Sequence, residues 1–255
     1  MPNTTLPTPI FREVLPKNLP LRANNSLDMT TAQLAAELLK HNKGIAFGES
    51  HTDRTPKREL VAMMPQLKQS GVTTLFFEMT DIETPEHQKI LDHYFKYGDN
   101  KDAVLKALGK FTDYTDGREG YPKQEYMNII DAAKQHGIRI VGINRHTKKR
   151  FDVDALWAKD IAQYVKQNLR PQDKFIVYVG SAHTNTIKPV NPEQFISRRS
   201  YTAGVDGLLG IPAIDFAQKN ARDNTTNLPL GIDTAAFRDF YDYLFVYEEG
   251  DPNTR

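Results

Sequence analysis

Short apolar runs alternate with longer stretches of helical spacing along this chain. Gly44-Ile45-Ala46-Phe47 leads to Gly48, Thr73-Thr74-Leu75-Phe76-Phe77 leads to Glu78, and Phe175-Ile176-Val177-Tyr178-Val179 leads to Gly180. Runs this short and this apolar are the mark of strands buried on both faces. Ile138 to Ile143 reads as another, and Ile211 to Phe216 and Tyr243 to Tyr247 as closing strands. Between them the period changes to that of helices. Thr30 or Thr31 caps a helix to about His41, with Leu34, Leu38 and Leu39 on one face. Thr55-Pro56 reads as a cap followed by proline at the first helical position, opening a helix to Gln69 with Leu60, Met63, Met64 and Leu67 inward. Thr84-Pro85 repeats the device for a helix to Tyr97, and Lys101 to Leu108 forms a short one. Pro122 opens a helix to His136 with Met127, Ile130 and Ala133 inward, and Asp152 or Val153 starts one to about Leu169.

Strand and helix in this alternation predict an α/β fold, a mostly parallel twisted sheet with helices on both faces. Residues 1–25 hold Pro2, Pro7, Pro9, Pro16 and Pro20 and read as an extended arm. Residues 26–255 read as a single α/β domain, a size one core can serve. Two stretches lack either period: Gly109 to Tyr121 and Thr184 to Gly210. Long irregular segments in a compact domain are usually functional or disordered.

Composition narrows the chemistry. The chain has no cysteine, which removes disulfides, thiolate catalysis and Cys-ligated zinc. A net charge of +1 supplies no general attraction to nucleic acid or anionic membrane. No apolar run is long enough to span a bilayer, and the Pro- and Asn-rich start has no apolar core of a secretory signal. The expectation is a soluble protein without nucleic acid as partner, cytoplasmic or one that crosses membranes; compartment and oligomeric state stay open.

The candidate chemistry lies at the strand ends. Gly48-Glu49-Ser50-His51 and Gly180-Ser181-Ala182-His183 are two copies of Gly-x-x-His, each after a buried strand. In open α/β sheets ligands bind at the carboxyl edge of the strands. Glu49, His51, Glu78 and His183 are therefore expected to meet there as catalytic residues. Each has a bland reading: a loop charge for Glu49, a structural ion pair for Glu78, a satisfied core histidine for His183. Coincidence of all four at three strand ends favours function. Such a set can activate water, hold a metal, or do both. Either Glu49 or Glu78 serves as general base, the other orienting a histidine, while His51 and His183 polarise a carbonyl or protonate a leaving group. Ser50 and Ser181 are not set in a Gly-x-Ser-x-Gly elbow, which favours direct attack by water. Metal dependence stays open: activity without a cofactor is preferred, and a divalent cation such as zinc or manganese is the alternative.

Other residues are candidates for substrate contact: Asn144 and Arg145 at the end of the third strand, Tyr114 in the first irregular segment, and Arg198 and Arg199 in the second. Aromatic and arginine residues on a rim suit an extended polypeptide. Asp215 is a candidate to steady a histidine, and Tyr121 and Tyr126 to line a pocket.

Gly-Glu-Ser-His, Phe-Phe-Glu, Gly-Ile-Arg-Ile-Val-Gly-Ile-Asn and Gly-Ser-Ala-His, with the helix Tyr-Met-Asn-Ile-Ile-Asp-Ala-Ala-Lys-Gln-His-Gly, resemble the superfamily that joins erythromycin esterases, ChaN haem-uptake proteins and Tiki/TraB proteases. The resemblance runs from Gly44 to Glu248. It is nearest to Tiki-like effector domains of bacterial toxins, of the Ras/Rap-cleaving endopeptidase type. The resemblance maps that family's active glutamates and histidines onto Glu49, His51, Glu78 and His183, and implies a hydrolase of a peptide or other amide or ester bond. The long helical insertions of the esterases and a four-helix membrane-targeting domain are not recognisable in the sequence. The alternative it carries is a ChaN-like haem-binding protein, with Tyr114 or Tyr126 as axial ligand.

Overall fold

The computed structural model describes residues 29–81, 85–112, 122–144, 153–184, 204–218, 231–233 and 243–247. The expected arm at 1–25, the rim residues Tyr114, Arg145, Arg198 and Arg199, and Tyr121 lie outside them.

The elements in chain order are α1 (Thr31–His41), β1 (Gly44–Glu49), α2 (Thr55–Gln69), β2 (Val72–Asp81), α3 (Pro85–Tyr97), α4 (Lys101–Thr112), α5 (Lys123–Gln135), β3 (Arg139–Asn144), α6 (Val153–Asn168), β4 (Lys174–Gly180), α7 (Val205–Leu209), β5 (Ala213–Gln218), β6 (Gly231–Asp233) and β7 (Tyr243–Tyr247). A single 3₁₀ turn, Ser181–His183, follows β4. Thr30 caps α1 with a full capping box: its hydroxyl accepts from the Gln33 N–H while Gln33 reaches back to the Thr30 N–H.

Four local expectations need correction. Thr55 is the first residue of α2 and does not cap it; Arg54 stands at the cap with no side-chain bond, and Pro56 fits in the first turn because no partner is needed for its missing N–H. β2 does not stop at Glu78 but continues to Asp81, with a register shift against β3 after Phe77. α4 extends beyond Leu108 to Thr112. The segment from Thr184 to Gly210 contains α7, closed by Gly210 in the left-handed conformation.

Among the described residues seven strands form one sheet in the order β3-β2-β4-β1-β5-β7-β6, parallel throughout except for β6 against β7. Ile45 and Phe47, Leu75 and Phe77, and Ile176 and Tyr178 turn to one face, where α1 to α5 pack through Leu38, Leu60, Met64, Leu91, Leu108, Tyr126 and Ile130. Ala46, Phe76, Phe175, Val177 and Val179 turn to the other, against Trp157, Ile161 and Val165 of α6 and Val205 of α7. The split follows from handedness. From β1 to β2 to β3 the chain moves one way across the sheet; from β3 to β4 to β5 it moves back. Right-handed crossovers in opposite directions put their helices on opposite faces. β4 is thereby inserted between β1 and β2, and the chain leaves β4 and its two neighbours towards different faces. Such a switch point opens a crevice at the carboxyl edge of the sheet. Among the described residues no helix is long and apolar enough to cross a membrane.

Candidate active site

β1, β4 and β2 are adjacent strands, and the expected residues lie toward or just beyond their carboxyl ends. Glu49 is paired in register with Gly180 and is the last residue of β1. Its side chain continues the Ile45, Phe47 series toward α2 and α5 and is fully buried. Each carboxylate oxygen has two donors. Oε1 accepts from the Tyr126 hydroxyl at 2.6 Å and from His51 Nδ1 at 3.0 Å. Oε2 accepts from the Tyr178 hydroxyl and from Lys57 Nζ at 2.5 Å. Burial raises the Glu49 pKa, but the Lys57 charge and the His51 hydrogen bond outweigh it, and the net shift is downward. Both tyrosines are driven well above their usual value, first by burial and then by the Glu49 charge, so they remain O–H donors. Glu49 is thus an ionised carboxylate with its acceptor sites filled. It orients His51 and is not placed to take a proton from water.

With Nδ1 committed to Glu49, His51 presents Nε2 to the crevice, 3.7 Å from Glu78 Oε1. His183 Nε2 approaches the same Oε1 at 3.8 Å. Glu78 keeps that oxygen toward both rings because its other oxygen accepts the Gly180 N–H at 2.6 Å. Burial lowers the His51 pKa, but the Glu49 hydrogen bond and the charges of Glu78 and Glu49 raise it more, and the net shift is upward. His183 lies flat on Trp157, with ring centroids 3.9 Å apart and planes 29° from parallel.

The glycines of the two motifs have separate reasons. A Cβ on Gly180 would stand 2.9 Å from His51 Nε2, so the ring passes over the backbone of β4 only because nothing projects there. A Cβ on Gly48 would strike the side chains of Asp215 and Thr184. Those two form a buried hydrogen bond of 2.5 Å, Thr184 donating. Through this bond Asp215, a candidate to steady a histidine, ties down Thr184, the residue after His183.

The structure therefore brings Glu49, His51, Glu78 and His183 together. Asn144 is buried at the end of β3, the edge strand beyond β2. Tyr126 is fully buried with its hydroxyl on Glu49, which removes it as an axial haem ligand. Among the described residues no group of three or more histidines and carboxylates is disposed to hold a metal ion. Sequence reasoning missed Lys57, Tyr178 and Trp157. Lys57 had a signal, since it lies on the apolar stripe of α2 with Leu60, Met64 and Leu67. Tyr178 had only its position within a buried strand, and Trp157 only its being the sole tryptophan.

A family model described as haem-binding uptake, Tiki superfamily, ChaN matches residues 35–155. The multifunctional-autoprocessing repeats-in-toxin of Vibrio vulnificus is 27% identical over 195 residues, 72% of this chain and 3% of the toxin. RRSP, a MARTX toxin effector domain from Vibrio vulnificus CMCP6, superposes with a TM-score of 0.53 at 23% identity over 74% of this chain and 36% of that one. The type III effector HopBA1 does so with a TM-score of 0.57 at 13% identity over 92% of this chain and the whole of that one. The chain spans only a small part of the toxin and about a third of the RRSP chain, and the structural likenesses establish the fold. Sequence and fold agree on similarity to the ChaN/Tiki superfamily and its toxin effector domains.

Proposed function

We propose that this chain, similar to the ChaN/Tiki superfamily and its toxin effector domains, is a hydrolase of the effector type that cleaves a peptide bond by direct attack of water. One observation supports the reading above others: Glu78 Oε1 lies between His51 Nε2 at 3.7 Å and His183 Nε2 at 3.8 Å, with His51 oriented from behind by Glu49. A carboxylate flanked by two imidazoles, at the switch point of a parallel sheet, is a proton-transfer device with acid and base side by side.

In this reading Glu78 Oε1 takes a proton from the attacking water as its oxygen bonds to the carbonyl carbon. The developing oxyanion is stabilised by His183. His51, protonated at this stage beside its two carboxylate neighbours, gives its Nε2 proton to the departing amine as the carbon–nitrogen bond breaks, and regains a proton from Glu78 once the products leave. Glu49 balances the imidazolium and keeps Nδ1 as the donor toward itself, as a buried carboxylate does for a catalytic histidine. Of the two glutamates left open by the sequence, Glu78 becomes the base and Glu49 the orienting group. The polypeptide substrate is proposed to contact Asn144, Arg145, Tyr114, Arg198 and Arg199. No step requires a metal ion.

The test is incubation of the protein with a eukaryotic cell lysate, with mass spectrometry of newly formed N-termini against His183→Ala. New termini from the wild type alone are expected. No new termini from either protein would remove the peptidase reading, and amide and ester model substrates would then test the broader one.

A further inference from the structure

Lys57 stands where local physics disfavours it. It lies in the first turn of α2, where a cation meets the positive end of the helix dipole. It shares the inward stripe of Leu60, Met64 and Leu67, and its side chain is fully buried. A buried ammonium is tolerated only when paired and hydrogen-bonded. Its contacts all lead to the residues that frame His51. Nζ is 2.5 Å from Glu49 Oε2, donates to the Ser50 carbonyl at 2.8 Å, and lies 4.7 Å from the centre of the Tyr126 ring.

We infer that Lys57 is a positioning residue that works through Glu49: by balancing that buried carboxylate, it lets Glu49 orient His51 without holding the ring permanently as imidazolium. Glu49 is sealed from solvent, so its negative charge needs a cation beside it. Among the described residues, two side chains touching the carboxylate can supply one, Lys57 and protonated His51. The other two donors, Tyr126 and Tyr178, are neutral. With Lys57 in place the balance does not depend on His51. Without it, His51 would have to keep its proton to keep Glu49 charged. Among the described residues, the groups facing His51 include Glu49 from β1, Glu78 from β2, Lys57 from α2 and Tyr126 from α5, and His183 from the turn after β4 shares Glu78 Oε1 with it; Asp53 and Glu125 act on Lys57.

The value of this arrangement to turnover rests on the hydrolase reading, in which His51 gives up and regains a proton in each cycle. The test does not need that reading. The full chain, labelled at histidine with ¹³C and ¹⁵N, is titrated without substrate and His51 is followed by its Cε1–H and Nδ1 signals, assigned by its loss in His51→Gln. In Lys57→Met the His51 titration is expected to move upward by about one pH unit, a tenfold higher proton affinity. In the charge-balanced double variant Lys57→Met, Glu49→Gln it is expected to fall below the wild-type position. A folded Lys57→Met protein whose His51 titration is unchanged or lower would overturn the inference. If Lys57→Met does not fold, the double variant decides: a His51 titration at or above the wild-type position overturns it. An unfolded double variant overturns it too, since Lys57 and Glu49 would then serve folding and not His51. Failure of the lysate assay with the expected titrations would count against the hydrolase reading alone.

Discussion

Gly180→Ala isolates the approach of His51 to the backbone of β4. Gly180 has φ −61° and ψ 142°, ordinary extended values that alanine adopts freely. Backbone strain therefore plays no part. The added methyl would lie 2.9 Å from His51 Nε2 and 3.2 Å from its Cε1, and 3.7 Å from Glu78 Oε2. Carbon and nitrogen need about 3.5 Å, so the ring must retreat by roughly 0.5–1 Å. His51 can do so because its side chain is 22% exposed. Overpacking then costs about 1 kcal/mol, the low end of its range, and the stiffer unfolded chain returns about 0.4–1 kcal/mol. Stability should hardly change. Function should not be spared: a displacement near 1 Å costs on the order of 100-fold in rate, which is about 2.7 kcal/mol of barrier. Gly48→Ala is the contrast. Its methyl would meet Asp215 and Thr184, which are 1% and 0% exposed and have no room to yield. That variant should lose about 3 kcal/mol or more through overpacking and a broken buried hydrogen bond. The assay is release of new termini from lysate, with urea denaturation of each variant. A Gly180→Ala protein with full activity would refute the reasoning, and so would equal destabilisation by the two substitutions.

His51→Ala and Glu78→Gln should each abolish hydrolysis while the melting transition stays in place or rises, because catalytic arrangements often cost stability; full activity in either removes the assignment. Glu49 has a lowered pKa in the fold, so its stabilising contribution is present above the ordinary carboxylate value and is lost as pH falls through the folded one. Urea melts between neutrality and pH 3 should show that acid loss in the wild type and less of it in the Lys57→Met, Glu49→Gln variant. Trp157, the sole tryptophan, stacks on His183, so its fluorescence emission should change in His183→Ala, which removes the ring; an emission spectrum identical to the wild type would count against that contact. Activity is expected to survive chelation; loss on chelation with restoration by one divalent ion would make the site a metal centre.

The strand ends were legible in the sequence because the signals there are local. A glycine closing an apolar run, a histidine three residues on, and a carboxylate after Phe76-Phe77 all follow from residue type and spacing. The period of apolar positions likewise foretold the main helices and most strands, since burial of one face imposes it. Local signals also misled. Thr55-Pro56 has the composition of a cap and lies inside the helix, and β2 runs through Glu78 because pairing with neighbours, not composition, decides where a strand stops.

What the chain alone could not show is the division of labour at the site. Glu49 and Glu78 look alike in sequence, each a carboxylate at a strand end. Only tertiary structure surrounds the first with Lys57, Tyr126, Tyr178 and His51 and leaves one oxygen of the second facing two imidazoles. Lys57, Tyr126 and Tyr178 come from α2, α5 and β4, and no spacing rule links them to β1. The strand order makes the same point. Nothing in the linear pattern says that β4 inserts between β1 and β2, yet that insertion puts Gly180 under His51 and its N–H on Glu78. Residue type and period specify the elements because burial and backbone geometry act locally; proton affinity and orientation depend on charges brought together from distant segments, and those are known only once the sheet is assembled.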